Sequence, residues 1–262
     1  MSTENANKLY LSLRFPLLLL AALWSIHLLI LYVDFDYQYW ALYPRRSFGS
    51  FGIFGIIGIF SSPFLHSGFE HLISNSFPIL ILSTTIIYFY PKVAFRSMLM
   101  IYIFTGIMVW LLGDYFFCEA KAGYDCIRGH VGISGVVYGM VTFVLGNGIF
   151  RKNRKSIILA LIVLFFYSGI FLGILPTQEG ISWESHLFGA IVGFFTSYFY
   201  REEIEADEVK PEDIYRNELP RSYRPYFLPP NTFDKTKAQR AAEAAAEANN
   251  PWNSTNTWDD IN

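Results

Sequence analysis

A serine and a histidine, each at the mouth of a long apolar stretch, are the residues of this chain best suited to chemistry. Ser134 stands in Gly132-Ile133-Ser134-Gly135, and His186 opens a later stretch. His66, His71 and Asn75 open another. Hydrocarbon cannot solvate polar groups, so ionisable side chains in such stretches are rare and carry function by default. A neutral imidazole within hydrogen-bond reach can take the proton of a serine hydroxyl and make it a nucleophile. The charge that develops on an attacked carbonyl then needs donors. His71 and Asn75 are four residues apart, on one face of a helix, and both can donate. The Ser134 N–H, close to a helix start and without an intrahelical partner, is a further donor. In a water-poor site such donors are worth more than in bulk water. The serine motif lacks the second glycine of the G-x-S-x-G elbow and no strand precedes it, which excludes an α/β-hydrolase.

The elements that must position these residues are membrane helices. The 262 residues are 53% hydrophobic and 16% charged, where a soluble domain carries about 25% charged. Half of the charged residues lie after residue 200, so the deficit marks an apolar core with a polar tail. No basic stripe supports nucleic-acid binding. A span takes about 20 helical residues, and six segments qualify: roughly 16–33, 67–90, 95–113, 132–149, 156–175 and 184–200. The first is read as a retained helix, since Tyr32-Val33-Asp34 is a poor signal-peptide cleavage site. With the N-terminus inside, Lys8, Arg14, Lys92, Arg96, Arg151, Lys152, Arg154, Lys155 and Arg201 fall on the cytoplasmic side. Only Arg45, Arg46, Lys121 and Arg128 fall opposite. The positive-inside rule therefore places both termini in the cytoplasm. Residues 1–15 form a short cytoplasmic N-terminus, 16–200 a six-helix domain, and 201–262 a polar, mostly irregular tail in which Gln239–Ala248 favours a short helix by its alanine content. The first outer loop, with Gly49, Gly52, Gly55 and Gly58 among apolar residues, is too apolar for solvent and is expected to sink into the interface or pack on the bundle.

This topology puts His66, His71, Asn75, Ser134 and His186 in one leaflet, reached by three separate helices. Gly189 and Gly193 follow His186 in a small-xxx-small pattern, and Gly135 and Gly139 repeat it after Ser134. Such faces let helix backbones pack closely in lipid, which would bring His186 beside Ser134. Tyr138, four residues after Ser134, shares its face and can lie against the imidazole. Each feature has a plainer reading. A lone membrane serine usually bonds its own helix, a lone Asn can bridge two helices, and His27 and His130 read as interfacial residues. His130 also competes with His186 as the base, although it precedes the helix in a polar loop. Metal binding by His66, His71 and His186 is disfavoured, because no carboxylate or cysteine joins them in a usual ligand spacing. No metal or cofactor is expected. A transporter would carry polar residues through both leaflets or broken helices at the midplane.

With these residues in place, the chain resembles the rhomboid family of intramembrane serine proteases, of the bacterial six-helix type. The resemblance covers roughly residues 40–200. It rests on His66, His71 and Asn75 as an H-x4-H-x3-N pattern, on Gly132 to Gly135 with Tyr138, and on His186, Gly189 and Gly193 as H-x2-G-x3-G. The resemblance implies Ser134 as nucleophile and His186 as general base, with His71, Asn75 and the Ser134 backbone as the oxyanion hole. Tyr138 would support His186, and 176–183 would cap the site. It implies a membrane-embedded first outer loop, location in the cell (inner) membrane, and single-span membrane proteins as substrates, cut near the outer face. The alternative within the same resemblance is a catalytically silent relative that binds or escorts membrane clients. Such relatives lack the serine or the histidine, and both are present here. Cys118 and Cys126, in the loop before Ser134, are spaced to allow a disulfide in an outward-facing setting, or to remain free thiols. Oligomeric state has no signature in the sequence.

Overall fold

The computed structural model describes residues 3–45, 51–113, 129–176, 182–205 and 235–249. Cys118 and Cys126 lie outside the described residues. Two compact units divide the chain, 1–210 and 211–262. The first contains helices α1 (Thr3–Val33), α2 (Phe51–Ser61), α3 (Phe69–Phe89), α4 (Ala94–Leu112), α5 (Ser134–Arg151), α6 (Arg154–Tyr167) and α7 (Trp183–Phe199). The second contains α8 (Lys237–Ala248). Thr236 and Gln239 form a capping box at the start of α8, each satisfying a backbone N–H of the other. The alanine-rich tail segment is thus the helix its composition implied.

α5 is the centre of the first unit. It packs most closely on α7, and also on α3, α4 and α6. α1 lies against α3, and α4 against α7. The reason is visible in the sequence of α5: Gly135, Gly139, Gly146 and Gly148 give it a thin backbone that neighbours can approach on several sides. α3 buries Leu72, Asn75, Ile79, Leu82 and Ile86, a stripe at helical spacing. Leu72, Ile79, Leu82 and Ile86 meet Ile101 of α4 and Val137, Met140, Phe143 and Val144 of α5 in one apolar core. The outside is apolar as well. Leu18, Phe77, Leu161, Phe165, Phe166, Phe195 and Phe199 are exposed. An apolar exterior around an interior that holds histidines, asparagines and serines inverts the soluble pattern and suits a hydrocarbon solvent.

Four described helical segments are long and apolar enough to cross a bilayer: Asn5–Val33, Phe69–Phe89, Ala94–Leu112 and Arg154–Ile174. α5 and α7, with 18 and 17 residues, are shorter and carry the glycines and polar groups of the interior. α1 begins at Thr3, well before the apolar pattern at 16, because its polar first turns continue the same helix. Lys8 there lies over the ring of Tyr88 at 4.7 Å. The segment expected as a helix over 156–175 is α-helical only to Tyr167 and continues as a 3-10 turn over Ser168–Ile174. The long first loop contains α2, continued by a 3-10 turn over Ser62–Phe64. α2 packs on α4, with Ile59 against Gly106. A Cβ on Gly55 or Gly58 would strike the Ala41–Tyr43 backbone. The α2 part of the apolar loop is therefore packed on α4 and on the Ala41–Tyr43 backbone.

Candidate active site

Ser134 is the first residue of α5, and His186 lies in the first turn of α7. Their contact follows from the glycine faces. A Cβ on Gly189 would overlap the Gly135 carbonyl, and one on Gly193 the Gly139 carbonyl, so the two backbones touch directly. A Cβ on Gly135 would come within 2.9 Å of the Ser185 carbonyl oxygen. Thr142 adds a directional tie, its hydroxyl donating to the Ala190 carbonyl at 2.8 Å. At this separation Ser134 Oγ and His186 Nε2 are 2.8 Å apart.

The other ring nitrogen fixes the proton. His186 Nδ1 lies 2.9 Å from the Gly173 carbonyl oxygen, which can only accept. Nδ1 therefore carries the hydrogen, and Nε2 is left as an acceptor for the Ser134 hydroxyl. The Tyr138 ring stacks on the imidazole, with centroids 4.0 Å apart and planes 8° from parallel. Gly173 was not identified from sequence. The carbonyl is free because the helix loosens into a 3-10 turn that ends there, where terminal carbonyls lack intrahelical partners. The position must be small: a Cβ on Gly173 would overlap the Tyr138 hydroxyl and approach His186 Nδ1 to 3.2 Å. The pair Gly169 and Gly173 in the fifth apolar segment was the available signal.

His71 and Asn75 lie on the adjoining face of α3. Gly132 has φ +106°, and a Cβ there would meet His71 Cε1 at 2.6 Å and Nε2 at 2.8 Å. The backbone just before Ser134 thus runs against the His71 ring, and only glycine fits both the conformation and the space. Gly132 N–H donates to the Ser62 carbonyl at 2.9 Å, which joins this turn to the end of α2. His71 Nδ1 lies 3.2 Å from the Ser67 hydroxyl. Asn75 is buried and donates one amide hydrogen to the His71 carbonyl at 2.9 Å. His66 packs edge-on against His71, centroids 5.1 Å apart. Burial, with His71 alongside, lowers the His66 pKa to about 4. Ser134 and His71 remain half-buried, so the site is open to a ligand.

His27 and His130, read from sequence as interfacial, are both buried. His27 sits against the Phe69 ring at 5.0 Å. The His130 ring meets Ser182 and Glu184, while His186 is the histidine in hydrogen-bond contact with Ser134. Among the described residues no group of three His, Cys, Asp or Glu side chains converges to hold a metal.

Fold and site together define a multi-pass helical membrane protein with a serine and a histidine in hydrogen-bond contact inside its bundle. Residues 54–203 match the model of the Rhomboid domain, more than half of the sequence, and the chain belongs to the rhomboid family. It is similar to an uncharacterized protein of Mycobacterium tuberculosis, 33% identical over 141 residues that make up 52% of this chain and 56% of that protein. An uncharacterized protein of Mycobacterium leprae is 34% identical over 140 residues, 52% of this chain and 53% of its own. A protein described as a candidate rhomboid of Acanthamoeba polyphaga mimivirus is 30% identical over 136 residues, 50% of this chain and 67% of its own. The match thus spans little more than half the length of the mycobacterial relatives.

Proposed function

We propose that this protein is an intramembrane serine endopeptidase that cuts single-span membrane proteins near the outer face of the bilayer. The observation that carries the reading is the 2.8 Å contact between Ser134 Oγ and His186 Nε2, with the imidazole held in the accepting tautomer by the Gly173 carbonyl. Ser134 Oγ attacks the scissile carbonyl carbon while its proton passes to His186 Nε2. The oxyanion is met by the Ser134 N–H, by His71 and by the second amide hydrogen of Asn75. A Ser67 hydroxyl donating to His71 Nδ1 makes His71 Nε2 the N–H that faces the turn at Gly132. Collapse of the intermediate breaks the C–N bond, and imidazolium gives its proton to the leaving amine. Water, deprotonated by His186, then hydrolyses the acyl-serine.

In this reading α5 and α7 join the four longer helices as spans, giving six with both termini cytoplasmic in the cell membrane. Residues 201–262 form a cytoplasmic tail. No resident metal or cofactor takes part. Purified protein given a model single-span substrate tests the proposal. Wild type cleaves, and Ser134→Ala and His186→Ala lose at least about 10³-fold in kcat. Wild-type turnover no better than that of Ser134→Ala across several substrates would sink it.

A further inference from the structure

A buried polar cluster beside the dyad has no part in the reaction above. Glu184 lies in the first turn of α7, two residues before His186, and His130 lies four residues before Ser134. Both are buried. His130 Nε2 is 3.8 Å from the Glu184 carboxylate, and His130 Nδ1 is 2.5 Å from the Ser182 hydroxyl. Ser182 is the N-cap of α7: its hydroxyl oxygen accepts from the Ser185 N–H at 3.4 Å and shares a hydrogen bond with the Ser185 hydroxyl at 2.6 Å. The backbone of His130 exchanges two hydrogen bonds with Leu42, at 3.0 and 2.8 Å. One residue thus joins three segments: the His130 backbone holds the stretch before α2 to the loop into α5, and its imidazole reaches the cap and first turn of α7.

The rest of the α5–α7 contact explains why such a tie matters. Near the dyad the helices meet through the Gly135, Gly139, Gly189 and Gly193 backbones, which offer no side chain of their own to resist sliding or rotation, while Phe150 packs on Phe194 and Tyr198 at the far end. Thr142 provides a directional tie farther along. At the end that holds the dyad, the polar cluster adds a side-chain link between the two helix starts, beside the Gly135–Ser185 backbone contact and the dyad's own hydrogen bond. A hydrogen bond weakens steeply beyond its normal range, and a misplacement of about 1 Å can cost about 100-fold in rate. An ionisable group buried in a membrane bundle is costly unless it is met by polar partners, which favours one fixed arrangement of these side chains.

We propose that His130 and Glu184 are positioning residues that, with Ser182, clamp the loop into α5 to the first turn of α7 and so hold His186 at hydrogen-bond distance from Ser134. The inference rests on the protease reading. The test is a double-mutant cycle on the full chain with a model single-span substrate, with Ser134→Ala as the blank. His130→Ala and Glu184→Ala each lower kcat by about 10- to 100-fold and move KM less than about twofold. The double variant loses no more than the worse single one, because either change opens the same clamp. Labelling of Ser134 by a fluorophosphonate slows in parallel. Unchanged kcat in folded variants, losses that multiply, or losses confined to KM overturn the proposal. Where the alanine variants do not fold, His130→Gln and Glu184→Gln are measured instead, and unchanged kcat has the same meaning. Glutamine variants that also fail to fold make the pair a requirement of folding, and the positioning role falls. A wild type no more active than Ser134→Ala strikes the protease reading itself, whereas an active wild type with fully active variants strikes only the clamp.

Discussion

Ser134 is reactive, in the reading proposed here, because of what its neighbours leave undone. The Gly173 carbonyl occupies Nδ1 of His186, so Nε2 is free to accept, and stacking on Tyr138 fixes the ring plane. Gly132 makes a second demand, since its positive φ and its contact with His71 both exclude a side chain. Gly132→Ala is therefore expected to displace His71 and lower kcat by about 100- to 1000-fold, the range for losing an oxyanion donor. Substrate cleavage by folded protein measures it, and near wild-type kcat would remove His71 from the proposed oxyanion site. His66 has a different signature. Its folded pKa of about 4 lies below the unfolded value near 6.5, so the unfolded chain binds the extra proton between those limits. Its contribution to stability is present above about pH 6.5 and is lost as the pH falls toward 4. Thermal unfolding in detergent should show Tm rising across that window, with a shallower rise in His66→Gln.

At the scale of elements, the weight rests on glycine-to-backbone contacts. Gly189→Ala puts a methyl group into the Gly135 carbonyl and must push α5 and α7 apart. The expected cost is about 1–3 kcal/mol, as for other overpacked sites, with loss of cleavage as the Ser134–His186 contact opens. Gly169→Ala is the control, because its new methyl meets nothing within 4 Å. Equal Tm and activity for the two variants would contradict this account of the interface. These glycines were legible in the sequence because their four-residue spacing after Ser134 and His186 is a packing pattern with a known purpose. α2 was not, since Gly52, Gly55 and Gly58 argue against a helix by propensity. Packing overrides that preference, and two of the same glycines, Gly55 and Gly58, admit the Ala41–Tyr43 backbone. The 3-10 turn that frees the Gly173 carbonyl was hidden in a segment that reads as continuously apolar. His130 and Glu184 were hidden for another reason: their meaning lies in a contact between distant loops, and no spacing rule reports that.

The whole molecule shows the same division between what chemistry selects and what the solvent selects. Apolar side chains cover the exterior of the first unit, and its polar groups turn inward or gather at the helix ends. One such end holds a connection that composition alone would not reveal. After α7 the chain folds back on the α3–α4 turn. Glu205, buried, accepts from the Lys92 N–H at 3.0 Å, the Lys92 ammonium donates to the Ile204 carbonyl at 2.5 Å, and Arg96 pairs with Glu203. The Arg96 pair is exposed and adds little by itself. The buried Glu205 carboxylate carries more, since a hydrogen bond to a charged group is worth about 1.5–3 kcal/mol. A chain cut after Lys210 keeps all of these contacts, and it separates the two compact units where they divide. It should match the full chain in Tm and in cleavage. A chain cut after Glu202 loses Glu203, Ile204 and Glu205, and its Tm should fall by about 4 °C or more, since 1 kcal/mol shifts a domain of this size by about 2–4 °C. Equal melting of the two truncations would mean that the segment after α7 is a passive leash. A drop already present at Lys210 would mean that the second unit stabilises the first.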